Sequence, residues 1–93
     1  MKVRIPTPLR SYTNEEKWVE SGGATVAELL TNLDAQFPGI RFRVVDEQSR
    51  LRQHMKIFVN QESVRDLGTR IDDADEVTIM QALSGGSGPA PNP

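Results

Sequence analysis

Two hydrophobic periods run through this chain. Near its start Val3 and Ile5 alternate with Lys2 and Arg4, the period of a half-buried strand. Pro6 and Pro8 stop it, because neither can donate to a sheet ladder. Ser11 to Asn14 read as a turn, and Lys17-Trp18-Val19-Glu20 as a second strand ended by Ser21-Gly22-Gly23. The short gap predicts an antiparallel hairpin. Trp18 and Val19 must face opposite ways. Val19 is assigned to the core, where the first strand offers β-branched partners, and Trp18 to the outer face or an edge. The second period is helical. Thr25-Val26-Ala27-Glu28 fits a capping box, in which the Thr25 hydroxyl accepts from the Glu28 amide and the Glu28 side chain reaches back. Val26, Leu29, Leu30, Leu33 and Phe37 follow on one stripe, and Pro38-Gly39 ends it. The expectation is one amphipathic helix of about three turns covering a sheet.

Between Ile40 and Arg52 neither period dominates. Ile40, Phe42, Val44 and Val45 suit a strand or a short helix with a loop, and the segment is read as irregular, with a turn at Asp46-Glu47-Gln48-Ser49. Lys56-Ile57-Phe58-Val59-Asn60 is a strand with Ile57 and Val59 on one face and Phe58 on the other. Gln61-Glu62-Ser63 turns the chain, Val64 begins a short edge element, and Gly68-Thr69 breaks it. Ile71 plugs the core. Asp72-Asp73-Ala74-Asp75 turns into a last strand, where Val77 and Ile79 face one way and Thr78 and Met80 the other. No internal repeat is visible. The order is strand, strand, helix, strand, short strand, strand. It predicts an α+β two-layer domain with one main helix packed on one face of a mixed four- to five-stranded sheet. That order fits the β-grasp arrangement, with the first and last strands side by side at the centre.

Composition narrows the functional classes. A chain of 93 residues forms one small domain with one modest core. The formal net charge of -2 supplies no general attraction to nucleic acid or an anionic membrane. Cysteine is absent, which excludes disulfides, thiolate metal sites, iron–sulfur clusters and a cysteine nucleophile. Met1 to Pro6 contain no long apolar run, so no signal peptide or membrane span is expected, and the expected compartment is the cytoplasm.

Catalytic and metal motifs are equally sparse. His54 is the only histidine, no serine stands in a nucleophile motif, and one histidine makes no triad. Asp72, Asp73, Asp75 and Glu76 lack the ligand alternation of a calcium loop and read as a charged turn. Arg41, Arg43, Arg50, Arg52 and Lys56 form a loose basic region without the aromatic interleaving of a nucleic-acid platform. It reads as a solvated face, with an acidic partner as the functional alternative. Phe58, Met80 and Thr78 point away from the helix. An aromatic and a methionine together there make an exposed apolar patch of the kind that marks a partner site. The alternative is that the 40–52 segment covers one of them. Past the last strand come Leu83-Ser84-Gly85-Gly86 and then Ser87-Gly88-Pro89-Ala90-Pro91-Asn92-Pro93, a composition that cannot build an element. Glycine lacks a Cβ, so Gly-Gly can enter a slot too narrow for other residues. A terminal carboxylate on such a segment suits a carrier of its own terminus. Carboxylate is a poor electrophile and must be activated, typically by adenylation, before a sulfur or amine attacks it.

These pieces together resemble the ThiS/MoaD family of ubiquitin-like sulfur carriers. The resemblance covers residues 1–86, with 87–93 as a flexible extension. It rests on Lys2-Val3-Arg4-Ile5-Pro6-Thr7, Leu9-Arg10, the Thr25-Val26 helix entry, Phe58-Val59-Asn60, Val64-Arg65, and Asp75-Glu76-Val77-Thr78-Ile79 running to Ser84-Gly85-Gly86. The most similar subgroup supplies sulfur for cysteine biosynthesis. The resemblance implies a β-grasp, ubiquitin-like fold and a protein co-substrate rather than an enzyme, with no catalytic residue, metal or bound cofactor of its own. An E1-like activating adenylyltransferase, possibly carrying a rhodanese domain, would use ATP to adenylate Gly86. A sulfur donor would convert the adenylate to a thiocarboxylate. Leu83, Ser84 and Gly85 would thread into the partners, including a sulfur-accepting synthase, and Phe58, Thr78 and Met80 would form the partner interface. The acceptor pathway could be that of cysteine, thiamine, molybdopterin or a secondary metabolite. The departure is Ser87 to Pro93, since Gly86 has no free carboxylate while they remain. Three readings stand open: a precursor cut after Gly86 by a processing peptidase, a linker appended to the domain, or a module without carrier chemistry. The competing class is a ubiquitin-like modifier or a β-grasp interaction module.

Overall fold

Val3 and Ile5 are fully buried in the structure, a computed structural model that describes residues 1–82. They belong to and follow β1 (Lys2–Arg4). A 3-10 helix (Thr7–Thr13) leads to β2 (Trp18–Glu20), then α1 (Val26–Gln36), α2 (Ile40–Val44), β3 (Met55–Val59), β4 (Glu62–Val64) and β5 (Val77–Gln81). The sheet order is β2-β1-β5-β3-β4. β1 and β5 run parallel, with Val3 opposite Val77 and Arg4 opposite Thr78, and the other neighbours are antiparallel. This is the β-grasp arrangement, with first and last strands adjacent as the element order predicts.

The apolar stripe explains why α1 lies where it does. Val26, Leu29, Leu30 and Leu33 are buried, and they share one core with Val3, Ile5, Ile57, Val77 and Ile79 from the sheet. Phe37 follows as the half-buried residue after the last turn. The Thr25 Oγ1 accepts from the Glu28 N–H at 3.2 Å. The Glu28 carboxylate reaches back one residue farther than the capping box requires and accepts from the Ala24 N–H at 2.8 Å. Two amide donors at the helix start are thereby satisfied.

Three local readings need correction. After Pro6 the chain forms a 3-10 helix over Thr7–Thr13, not only a turn at Ser11–Asn14. Proline in a first helical turn loses no bond, since its absent N–H would have had no partner there. The segment read as irregular holds α2, which buries Ile40 and Val44. Asp34 caps it from the preceding helix, its Oδ1 accepting from the Gly39 N–H at 3.0 Å and the Arg41 N–H at 3.1 Å. Gly39 has φ 98°, a conformation that favours glycine. The turn after β3 is tighter than Gln61-Glu62-Ser63. Asn60 and Gln61 take φ 51° and 76°, and Glu62 and Ser63 already pair in β4. Both central residues at positive φ match the handedness of hairpin turns. Asn60 also ties this hairpin to β5, its Oδ1 accepting from the Glu76 N–H at 2.9 Å.

The remaining turns form where their residues predict. Asp46 Oδ1 accepts from the Gln48 N–H at 2.9 Å and the Arg50 N–H at 3.0 Å. The Arg50 amide bond, aided by that of Gln48 and by the charges of Arg50 and Arg52, holds the Asp46 carboxyl below its ordinary value against some desolvation. Its folded-state value therefore lies below the unfolded one. The contribution of the carboxylate is complete above about pH 4 and is lost as pH falls through the lower folded value. In an acid titration of the thermal midpoint, Asp46→Asn should flatten the loss of stability below about pH 4. An unchanged slope would show that the turn carries no such coupling.

Candidate functional site

β5 is the element that leads to the diglycine. Leu83, Ser84, Gly85 and Gly86 lie outside the described residues, as does the 87–93 extension. The described part of the site is the root from which they follow. The Ala82 N–H donates to the His54 carbonyl at 2.7 Å, so the β5–β3 pairing extends one residue past Gln81. β1 pairs only with the start of β5, at Val77 and Thr78, so the strand end from Ile79 to Ala82 is held by β3.

Strand alternation divides the surroundings of that root into two faces. On the outer face, away from α1, cross-strand register aligns Trp18, Arg4, Thr78, Phe58 and Ser63 in one row. Met80 lies opposite Lys56 and diagonal to Phe58. Met80 is 48% exposed and Phe58 half-buried in its row. The 40–52 segment does not cover them, since α2 packs against α1 and the 3-10 helix. Trp18 is 37% exposed, and the Arg4 guanidinium and Lys2 ammonium lie 5.5 and 6.0 Å from its ring centre. Cation and ring at this range attract one another through the ring quadrupole. Thus Phe58, Thr78 and Met80 do come together, and the face they share also carries Lys2, Arg4 and Lys56.

Residue reasoning missed what lies on the other side of the root. A cavity of about 460 Å³ opens beside Gln81, walled by Tyr12, Phe42, Arg43, Arg52 and His54. The Arg43 Nε donates to the Tyr12 hydroxyl oxygen at 2.7 Å. That bond, more than the charge interaction with the phenol, raises the guanidinium further above its ordinary pKa. The Arg52 Nε donates to the Phe42 carbonyl at 2.9 Å, and its guanidinium sits 5.0 Å from the Phe42 ring centre. Phe42 is 52% exposed. The five basic residues singled out from the sequence therefore do not form one patch. Lys56 is on the outer face, Arg50 sits 3.7 Å from Asp46, and Arg41 donates to the Ser49 hydroxyl at 3.2 Å. Only Arg43 and Arg52 meet at this cavity.

The acidic turn has structural work. The Asp75 Oδ2 accepts from the Asp72 N–H, and the Asp72 Oδ1 from the Ala74 N–H. Among the described residues no group of three or more His, Cys, Asp and Glu side chains could hold a metal ion. No described helix is long and apolar enough to cross a membrane.

Comparison with known proteins adds the family. The family model described as ThiS family matches residues 3–86. The sulfur carrier protein CysO of Mycobacterium tuberculosis (strain ATCC 25618 / H37Rv) is 40% identical over 89 residues, covering 90% of this chain and 96% of that protein. The small archaeal modifier protein 3 of Haloferax volcanii is 29% identical over 91 residues, covering 92% of this chain and 98% of that protein. A chain of the Amycolatopsis orientalis BexX/CysO complex superposes with a TM-score of 0.85 at 40% identity, over 91% of this chain and 98% of that one.

Proposed function

The chain belongs to the ThiS family, and from that premise we propose that it is a sulfur carrier whose working group is the Gly86 carboxylate. The observation that carries this reading is where the family match ends. It stops at residue 86, the second glycine of the pair, and not at the residues that follow. Identity to a CysO sulfur carrier over nearly its whole length supports the same reading.

The chemistry follows from the carboxylate. In this sequence Gly86 is joined to Ser87 by a peptide bond. Hydrolysis of that bond by a processing peptidase frees the carboxylate. A carboxylate oxygen then attacks the α-phosphorus of ATP on an activating enzyme, and pyrophosphate leaves. The acyl adenylate is an electrophile. Sulfide attacks its carbonyl carbon, AMP leaves with the C–O bond broken, and a proton is lost to leave a thiocarboxylate. The carrier presents that sulfur to an accepting synthase, acting as co-substrate throughout. CysO-type relatives favour cysteine biosynthesis as the destination.

Geometry supports a defined docking surface. Gly86 lies five residues past Gln81, so the arm spans at most roughly 17 Å. Any enzyme acting on Gly86 must therefore lie over the end of β5. Phe58, Thr78 and Met80 form its contact on the outer face, while Leu83, Ser84 and Gly85 thread the slot.

Intact mass tests the reading. Incubated in extract with ATP and a sulfide source, the chain should lose everything after Gly86. It should then gain the mass difference between one sulfur and one oxygen. If every molecule keeps Ser87 and none gains sulfur, the carrier reading fails. A second reading, a protein modifier, is favoured by the likeness to small archaeal modifier protein 3. Its mark would be Gly86 in amide linkage to lysines of other proteins.

A further inference from the structure

We propose that the cavity bounded by Arg43 and Arg52 is a second docking site, which receives acidic side chains of the enzyme that activates Gly86. The inference rests on the carrier reading. It assigns a function to side chains that the apolar outer face leaves unused.

Position gives the first argument. Gln81 lines the cavity, and Ala82 is bonded to the backbone of His54, another of its walls. An arm of roughly 17 Å keeps the enzyme over the end of β5. That end has two sides. Met80 and Phe58 flank it on the outer face, and the cavity flanks it on the other, so a surface that grips the root passes close to both.

Charge gives the second argument. Among the described residues lining this cavity there is no carboxylate. Arg52 also borders the larger neighbouring cavity, of about 610 Å³, where its charge reaches Asp46 but the ion pair of Asp46 is with Arg50. Neither Arg43 nor Arg52 has an acidic partner within 4.0 Å among the described residues. On a chain whose formal net charge is -2, this is a local excess of positive charge.

Preorganisation gives the third. Each guanidinium is held through its Nε, Arg43 by the Tyr12 hydroxyl and Arg52 by the Phe42 carbonyl. A guanidinium bonded only through its Nε keeps its terminal nitrogens as a planar fork, the geometry that takes a carboxylate with two parallel bonds. Little side-chain freedom remains to be lost on binding. The exposed Phe42 ring beside Arg52 supplies an apolar contact in the same place. Rigid cations next to an exposed aromatic suit an acidic protein surface.

The test uses the source organism's adenylating enzyme, identified by ATP–pyrophosphate exchange that depends on Gly86, with the carrier ending at that residue. Arg43→Glu combined with Arg52→Glu should raise the KM for the carrier on the order of tenfold or more, leaving kcat unchanged. Wild-type KM should rise with ionic strength, and the double variant should lose most of that response. Arg52→Gln, which removes one charge on a half-buried side chain, should fall between them, and it serves if the double variant does not fold. A double-variant KM within about twofold of wild type, or a salt response shared by both, overturns the proposal. If wild type itself supports no exchange, the carrier reading fails and this site falls with it. Normal exchange by the variants removes this site alone.

Discussion

Gly86→Ala, in a chain ending at that residue, should lower adenylation about 100-fold or more without moving the thermal midpoint of unfolding. Two facts of the sequence and fold separate these quantities. Every described member of the hydrophobic core lies at or before Ile79, so the added methyl removes no core contact. A substitution outside buried contacts, caps and strained positions changes stability by only about 0.5 kcal/mol. The reacting carbon is another matter. On the proposed reading it is bonded directly to the Cα that gains the methyl, and a slot that admits Gly-Gly for want of a Cβ excludes alanine. Displacing the carboxylate by as little as about 1 Å from the α-phosphorus is enough for a loss of this size. ATP–pyrophosphate exchange and intact mass read the chemistry, and a melting curve reads the fold. A drop in midpoint comparable to a core truncation would place Gly86 inside the folded unit and contradict the proposal. Unimpaired exchange would show that activation does not use this carboxylate.

The fold was legible wherever one residue's neighbours were enough to decide its side. Alternation in Val77-Thr78-Ile79-Met80 put two residues in the core and two outside, and the register agrees. Thr25 and Glu28 announced the helix start through local bonds. What escaped depends on residues distant in the chain. α2 has five residues, too few for a helical period to emerge, and its cap comes from Asp34 on another helix. The Asn60-Gln61 turn lacks the glycine that would have marked it, and bonds from Asn60 to Glu76 support it instead. The cavity is the strongest case. Arg43 and Arg52 were visible as charges, but Arg43 is oriented by Tyr12, which the 3-10 helix brings to α2, and Arg52 by the Phe42 carbonyl. Sequence showed the charge, and only tertiary structure showed that Arg43 and Arg52 line one cavity beside Gln81.

Ile79→Ala and Met80→Ala, adjacent on the central strand, should fail in opposite ways. Ile79 is fully buried, faces Ile57 across the β3–β5 ladder, and belongs to the core that α1 covers. Its truncation removes buried methyl groups and leaves a cavity, at a cost of about 2–5 kcal/mol. Domains of this kind are stable by only about 5–15 kcal/mol, and a short chain sits at the low end. A large share of the chain would therefore unfold at modest denaturant, with its midpoint lowered and the slope of the transition unchanged. Met80 is about half exposed and faces the solvent side of the same strand. Truncating it opens no core cavity, so the unfolding curve should stay within about 0.5 kcal/mol of wild type. Binding is where its loss should appear. Among the described residues, the outer face at the end of β5 offers few apolar contacts besides Met80 and Phe58, and a central apolar contact commonly costs more than about 1 kcal/mol of binding when truncated. Urea unfolding and the KM for the carrier, measured on both variants, give a crossed pattern if the assignment is right. Equal stability losses would mean that Met80 packs in the core, and an unaltered KM for Met80→Ala would remove it from the interface.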